Sequence, residues 1–454
     1  MLLLTNCTFD GHVYHTRRVM EECLAIKPDL IFLWDEAWFA YARFSPFLRP
    51  RTSMGAAEFL RRRYRAPAYA EEYAKFKAEV GEISLANDKA MEMHLLPDPD
   101  AVRIRAYATQ STHKSLSALR QGSMIHVRDE DFADEVEETF DEAFMTHTST
   151  SPNQQIIASL DVARRQAELE GYELVLKQII LALELRAHVN SDPQLSRYFR
   201  FLTPAEMIPS EYRETGLENY QGGDPWKRAF EAVERDEFFL DPTRLTLMCG
   251  TAGFDGTEFK NALADEWDIQ INKTSRNTVL FQSNINNNRS ATSYLIETLA
   301  KIGRAVDENL AHVSAAHRQV FDNRVRSLIE DVPDLPDFSH FHAAFRDDPD
   351  SATREGRIRE AYFMAYDQEN CEHVTLADAE IDRRLAEGPE MVSANFVIPY
   401  PPGFPIMVPG QVITVGIIEF MRKLDVKEIH GYHAEVGLKL IRQDRLTTAS
   451  GVQS

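Results

Sequence analysis

The 454-residue chain is predicted to fold as an α/β protein, with a helix-covered parallel sheet followed by smaller α+β regions. Three observations predict this. Leu2–Thr5 and Asp29–Trp34 are short apolar runs of strand length, and His12–Ile26 between them carries helical spacing, which makes a βαβ unit. Polar segments rich in chemistry (6–11, 35–38 and 111–114) follow strand-like runs, where ligands sit in open parallel sheets. Composition is ordinary for a globular protein, 44% hydrophobic and 27% charged, and the length suits two or three domains.

Charge and cysteine usage exclude several classes. Lys and Arg total 50 against 71 Asp and Glu, a net charge of −21, which argues against a nucleic-acid or anionic-membrane surface. The one basic run, Arg61–Arg65, reads as a solvated helix face or interface patch. Cys7, Cys23, Cys249 and Cys371 are scattered, with no C-x-x-C pair, as in reduced cytoplasmic proteins. No run of 18 apolar residues is present to span a membrane, and Met1–Thr5 is too short for a signal peptide. The local pairs His12/His15, His340/His342 and His430/His433 lack Cys or carboxylate partners at ligand spacing, so no metal is expected.

In chain order, residues 46–100 predict helices and connecting loops. Val102–Tyr107 predicts a strand, and Ser115–Leu119 restarts helical spacing. An acidic amphipathic helix is expected over Asp129–Ala143, and further helices over Asn153–Leu169 and Tyr172–His188, the latter with a core face at i, i+3 and i+4. Thr243–Cys249 reads as an alternating strand, Asp255–Trp267 as a helix, Ile269–Phe281 as one or two strands and Ala291–Val306 as a helix. The Pro/Asp-rich stretch 330–337 marks a boundary. The domains expected are 1–168, 169–325 and 326–454.

The chemistry concentrates in Ala108-Thr109-Gln110-Ser111-Thr112-His113-Lys114. A lysine on a polar turn after a strand has what a Schiff-base lysine needs. Partial burial lowers its pKa, and neighbouring hydroxyls can hold an anionic phosphate. A surface lysine in a Ser/Thr-rich loop is the other reading of this heptapeptide. Continuing through Gln121-Gly122-Ser123-Met124-Ile125-His126-Val127, the segment resembles the cofactor-lysine segment of the bacterial ornithine/lysine/arginine decarboxylases, which are fold-type-I pyridoxal-phosphate enzymes. Leu4–Gly11, Trp34-Asp35-Glu36-Ala37-Trp38, Met145–Pro152, Val392–Gly410 and Glu428–Tyr432 are similar to the same family in the same order.

The resemblance implies an aspartate-aminotransferase-like cofactor domain, here its C-terminal half, followed by a small α+β domain and a C-terminal α+β domain. Full-length relatives place a wing domain, a ring-stacking histidine and a main phosphate loop ahead of a segment like Leu2–Asp10. The resemblance further implies pyridoxal 5'-phosphate bound through Lys114. Asp35 would pair with the ring nitrogen, where a carboxylate keeps the pyridinium charged; capping the next helix is its other possible role. Ser111, Ser149 and Thr150 would contact phosphate, the last two across a dimer interface, and the same hydroxyl cluster suits an N-cap before residue 153. Trp38 either packs beside the ring or belongs to the core. His113 or Lys114 would return a proton to Cα. The implied reaction is decarboxylation of arginine, ornithine or lysine by a homodimer or higher homo-oligomer. Where the lysine- and arginine-selective relatives present an acid, this chain has Asn272, Lys273 and Arg276, with Asp268 nearby. A catalytically incomplete assembly or regulatory member, and transamination on the same fold, are the competing readings.

Overall fold

The computed structural model describes residues 1–81, 93–220, 225–331, 334–338, 340–346, 356–377, 379–400, 403–423 and 428–449. It divides into two compact units, Met1–Met248 with Leu280–Glu308, and Cys249–Val279 with Asn309–Ser454.

The first unit is built on the predicted βαβ element. Strand β1 (Leu2–Thr5) lies parallel to the strand at Ile31–Asp35, pairing Thr5 with Asp35, and helix α1 (Thr16–Ile26) joins them. The expected helical start at His12 is corrected. His12–Tyr14 forms strand β2, which pairs antiparallel with Phe238–Leu240, and the helix waits for its cap at His15. The Ile31–Asp35 strand, β3, pairs in parallel with β4 (Arg105–Ser111), and β4 with antiparallel β5 (Ser123–Asp129), giving the order β1-β3-β4-β5.

One face of this sheet is closed by α1 and by α2 (Ser53–Tyr64). Met20, Leu24, Ala56, Ala57 and Leu60 pack on Phe32, Trp34, Ala106 and Ala108, and every one of these side chains is buried. At roughly 25 cal/mol per Å² of apolar area, this layer holds the strand ends in place. The basic run on α2 is a solvated face, as expected, with Arg61 and Arg62 on Glu58 and Arg63 on Glu72.

Four further expectations change. Ser115–Leu119 does not continue as a helix: α3 (Thr112–Ser115) is one turn long and the chain then loops to β5. The acidic helix starts later, as α4 (Glu137–His147), because Asp129 still belongs to the β5 ladder. The two helices expected over 153–188 are one 38-residue helix, α5 (Gln154–Ser191). Gly171 does not break it. A Cβ there would lie 2.9 Å from the Phe44 ring, so the glycine marks a close approach. Phe39, Tyr41, Val175 and Ile179 form a second buried cluster. The strand at Arg244–Met248, β6, is buried at four of its five residues rather than alternating.

In the second unit, Asp255 and Glu258 form a capping box on the helix Gly256–Trp267, which matches the expected helix. Cys371–Val374 and Val392–Ser393 both pair antiparallel with Gly437–Ile441, and Val397, Ile406, Met407, Ile417 and Leu440 form the core. Residues 332–333 of the Pro/Asp-rich boundary and 401–402 of the proline signature lie outside the described residues.

His15 is a titratable cap. Its Nδ1 accepts from the Arg18 N–H at 3.2 Å while Nε2–H donates to the Glu234 carbonyl at 3.0 Å, so the ring must be neutral. Burial, reinforced by the Arg51 charge, pulls its pKa down to about 4. Between pH 6.5 and that value the unfolded chain takes up a proton that the folded chain refuses, so stability falls as pH falls. Urea midpoints should drop more steeply from pH 7 to pH 4.5 in the native chain than in His15→Asn, which keeps an acceptor for the cap. Equal slopes would remove His15 as the cause.

Candidate active site

Parallel strands β3 and β4 end at the same level, Asp35 opposite Thr109, so the turns that follow them emerge side by side. The turn after β3 carries Asp35 and Trp38, and the turn after β4 is α3, which carries His113 and Lys114. Sequence-distant residues meet here because the two strands share a register.

Lys114 is half-buried, and its Nζ lies 4.5 Å from the centroid of the Trp38 ring. Among the described residues the amine makes no hydrogen bond or ion pair. Burial pushes its pKa below the usual lysine value; the Arg244 charge adds to that shift and Asp35 opposes it. Asp35 spends Oδ1 on the Ala37 N–H at 2.9 Å, a local turn bond and not the helix cap that was its other possible role, because the next helical turn begins only at Ala40, behind Phe39. No described donor occupies its other oxygen. Ser111 ends β4, and its hydroxyl makes no capping bond to α3. His113 Nδ1–H donates to the Gly122 carbonyl at 3.0 Å, which leaves Nε2 as the acceptor of the neutral ring.

Lys114, Asp35, Trp38, Ser111 and His113 thus gather at one strand edge. Ser149 and Thr150 do not join them within the chain. Both are fully exposed between α4 and α5, and Ser149 Oγ accepts only from the Ser151 N–H. Nor do they cap α5. Asn153 does so, accepting from Gln155 and Ile156, because its shorter reach follows directly into the helix.

Three residues that carry the site are absent from the sequence-based candidates. Glu36 is buried and accepts from Asn6 Nδ2 (2.7 Å), Ser53 N–H (2.6 Å) and Gln110 Nε2 (2.7 Å), which ties together the ends of β1, β3 and β4 and the start of α2. Arg244 lies over the Trp38 ring, its Cζ 4.7 Å from the centroid, and 5.9 Å from that of Phe9. Asp241 Oδ2 stands 3.9 Å from Arg244 Nε, and both side chains are fully buried. The signals were present in Asp35-Glu36 and in the turn-prone Asp241-Pro242-Thr243-Arg244, but neither run says where its charge points.

An uncommitted amine and a partly free carboxylate stand beside an aromatic face at the carboxyl edge of a parallel sheet, the edge where α/β proteins place their ligands. A family model described as "Orn/Lys/Arg decarboxylase, major domain" matches residues 1–62 and 77–290, and the chain belongs to that family. The inducible lysine decarboxylase of Escherichia coli (strain K12) is 25% identical over 445 residues, covering 93% of this chain and 53% of that protein. The lysine decarboxylase of Hafnia alvei is 26% identical, covering 95% and 54%, and the biodegradative arginine decarboxylase of Escherichia coli 26%, covering 90% and 52%. The chain therefore spans about half the length of the curated relatives it matches. Among solved structures, the Francisella novicida lysine decarboxylase superposes with a TM-score of 0.59 at 24% identity, covering 97% of this chain and 57% of that one, a likeness of fold.

The residues present fit the cofactor that the resemblance implies. Lys114 is free to bond an aldehyde, Asp35 keeps an oxygen for a ring N–H, and the Ser111 hydroxyl is uncommitted at the strand end.

Glu36 supports this arrangement, and its loss should be measurable. Glu36→Leu leaves three buried donors without an acceptor and should lower unfolding stability by ~3 kcal/mol or more, with Glu36→Gln costing less. Denaturant unfolding checks this, and a loss within the range of a surface substitution would show that the carboxylate is not a tie.

Proposed function

We propose that this chain carries out, or forms part of a protein that carries out, pyridoxal-phosphate-dependent decarboxylation of a basic amino acid (arginine, ornithine or lysine) in the cytoplasm. The observation that carries the reading is the Lys114 amine, free of protein hydrogen bonds and placed over Trp38 one strand from Asp35. Family membership and the named lysine and arginine decarboxylase relatives support the reaction class. When bound, the cofactor supplies a ring that accepts the electron pair released as CO2 departs.

The chain's own residues supply the rest. Lys114 would hold the aldehyde group through its amine. Asp35 Oδ2 would accept the proton of the ring nitrogen and so keep the ring cationic. Trp38 covers one side of the Lys114 amine and excludes water from it. Ser111 donates to the phosphate, and Ser149 and Thr150, exposed beside the apolar Phe144 and Met145, do the same for a second copy of the chain in a homo-oligomer. His113 or the Lys114 amine would supply the proton that returns to Cα.

Purified chain supplied with pyridoxal phosphate should show the absorbance of a lysine-bound aldehyde and, after borohydride, a pyridoxyl adduct on Lys114. Lys114→Ala should lose both, together with CO2 release from arginine, ornithine and lysine. Asp35→Asn should keep the adduct but lose at least about tenfold in CO2 release, since a one-pKa-unit loss of ring-nitrogen basicity corresponds to roughly 1.4 kcal/mol. CO2 release that survives Lys114→Ala would sink the assignment, and keto-acid formation without CO2 would favour transamination.

A further inference from the structure

Two cations share one indole. Lys114 Nζ lies 4.5 Å and Arg244 Cζ 4.7 Å from the Trp38 ring centroid. A single ring cannot offset both charges at full strength, and each raises the cost of the other. Arg244 is the one held in place. Its Nη1 donates to Gln282 Oε1 at 3.2 Å, and its Nε faces Asp241. Asp241 is itself fixed, accepting at Oδ1 from the Thr243 N–H and hydroxyl, and Tyr41 in turn donates to Thr243.

Gly11 completes the cradle. It sits at φ +97°, and a Cβ there would lie 2.7 Å from Cβ and Cγ of Arg244, so the arginine stem occupies the space a side chain would fill. Among the described residues Nε and Nη2 of Arg244 have no hydrogen-bond partner, and the rings of Trp38 and Phe9 are set against the guanidinium. An arginine so buried cannot shed its charge, whereas a lysine can.

We propose that Arg244 is a positioning residue for Lys114: clamped by Gly11, Asp241 and Gln282, it braces the Trp38 ring and opposes a second positive charge at that ring, so that the Lys114 amine meets a carbonyl as a free nucleophile. The inference rests on the reading of Lys114 as the carbonyl-reactive lysine. The charged groups facing that amine are Asp35 from the end of β3, which works the other way, and Arg244 from β6; His113 on its own helix turns Nδ1 toward Gly122. Burial and Arg244 act in the same direction on the amine, in agreement with the geometry.

The test reads the amine without the cofactor. Reductive methylation by formaldehyde and cyanoborohydride, followed peptide by peptide across pH, reports the fraction of each lysine that is unprotonated. Lys114 should half-label at a lower pH than exposed lysines such as Lys27 in the same sample. Arg244→Gln should move that midpoint up toward theirs, while Arg244→Lys, which keeps a charge, should move it less. A native Lys114 midpoint level with the exposed lysines overturns the proposal without any variant being needed. An unchanged midpoint in a folded Arg244→Gln chain overturns it as well. Early methylation of Lys114 without a pyridoxyl adduct would defeat the decarboxylase reading and leave this inference supported; an adduct with an ordinary midpoint would do the reverse.

Discussion

The site depends on a single buried carboxylate. Glu36 follows Asp35 directly, and its two oxygens take donors from the Asn6 and Gln110 side chains and from the backbone at the start of α2. Three parallel strand ends and one helix N-terminus are thereby held at a common level. A carboxylate at a helix N-terminus is also favoured by the helix dipole, and three charge-assisted hydrogen bonds offset the cost of burying it. Asn6 adds a second tie, since its Nδ2 also donates to the Arg51 carbonyl. The Arg51 guanidinium reaches the carbonyls of Ala232, Val233 and Glu237 at the end of the helix Pro225–Arg235. Charge carried by Arg51 and Glu36 thus knits the layer at these strand ends, while the Lys114 amine and one oxygen of Asp35 take no described partner.

That division of labour has a physical logic. Buried charges with several hydrogen bonds are poor reagents because their partners stabilise one protonation state and one position. Reactive groups need the opposite, partial desolvation and few bonds. Cys7 illustrates the inert side: it lies close to Asp241 and Arg244, yet burial and the Asp241 charge push its thiol far above any useful range. Lys114 illustrates the reactive side. It is half-buried, rests on an aromatic face and is not claimed by any acceptor among the described residues.

Much of this was legible without coordinates. The apolar character and length of Leu2–Thr5 and Asp29–Trp34, with a helix between them, predicted the parallel pair, and the polar runs after them fall at its carboxyl edge. Lys114, Asp35, Trp38, Ser111 and His113 were singled out from residue types and from a family resemblance, and they do meet. Other elements were misread for identifiable reasons. Helical spacing at His12–Tyr14 was overridden by pairing with a strand more than 200 residues away. The two helices expected over 153–169 and 172–188 are one, and Gly171 between them is where the Phe44 ring packs close to the helix backbone. Ser149 and Thr150 looked like a cap, yet Asn153, a few positions on, has the better geometry.

By itself, then, the amino-acid order determined the strand-forming runs, the edge where polar side chains gather and the candidate lysine and carboxylate, because these depend on local periodicity and on residue type. Only the tertiary structure decided what surrounds them: the Glu36 knot, the Gly11 cradle and the Arg244 guanidinium sharing an indole with Lys114. Those arrangements join positions 17 to 233 residues apart, and no local pattern encodes a contact whose energy arises from burying charges together.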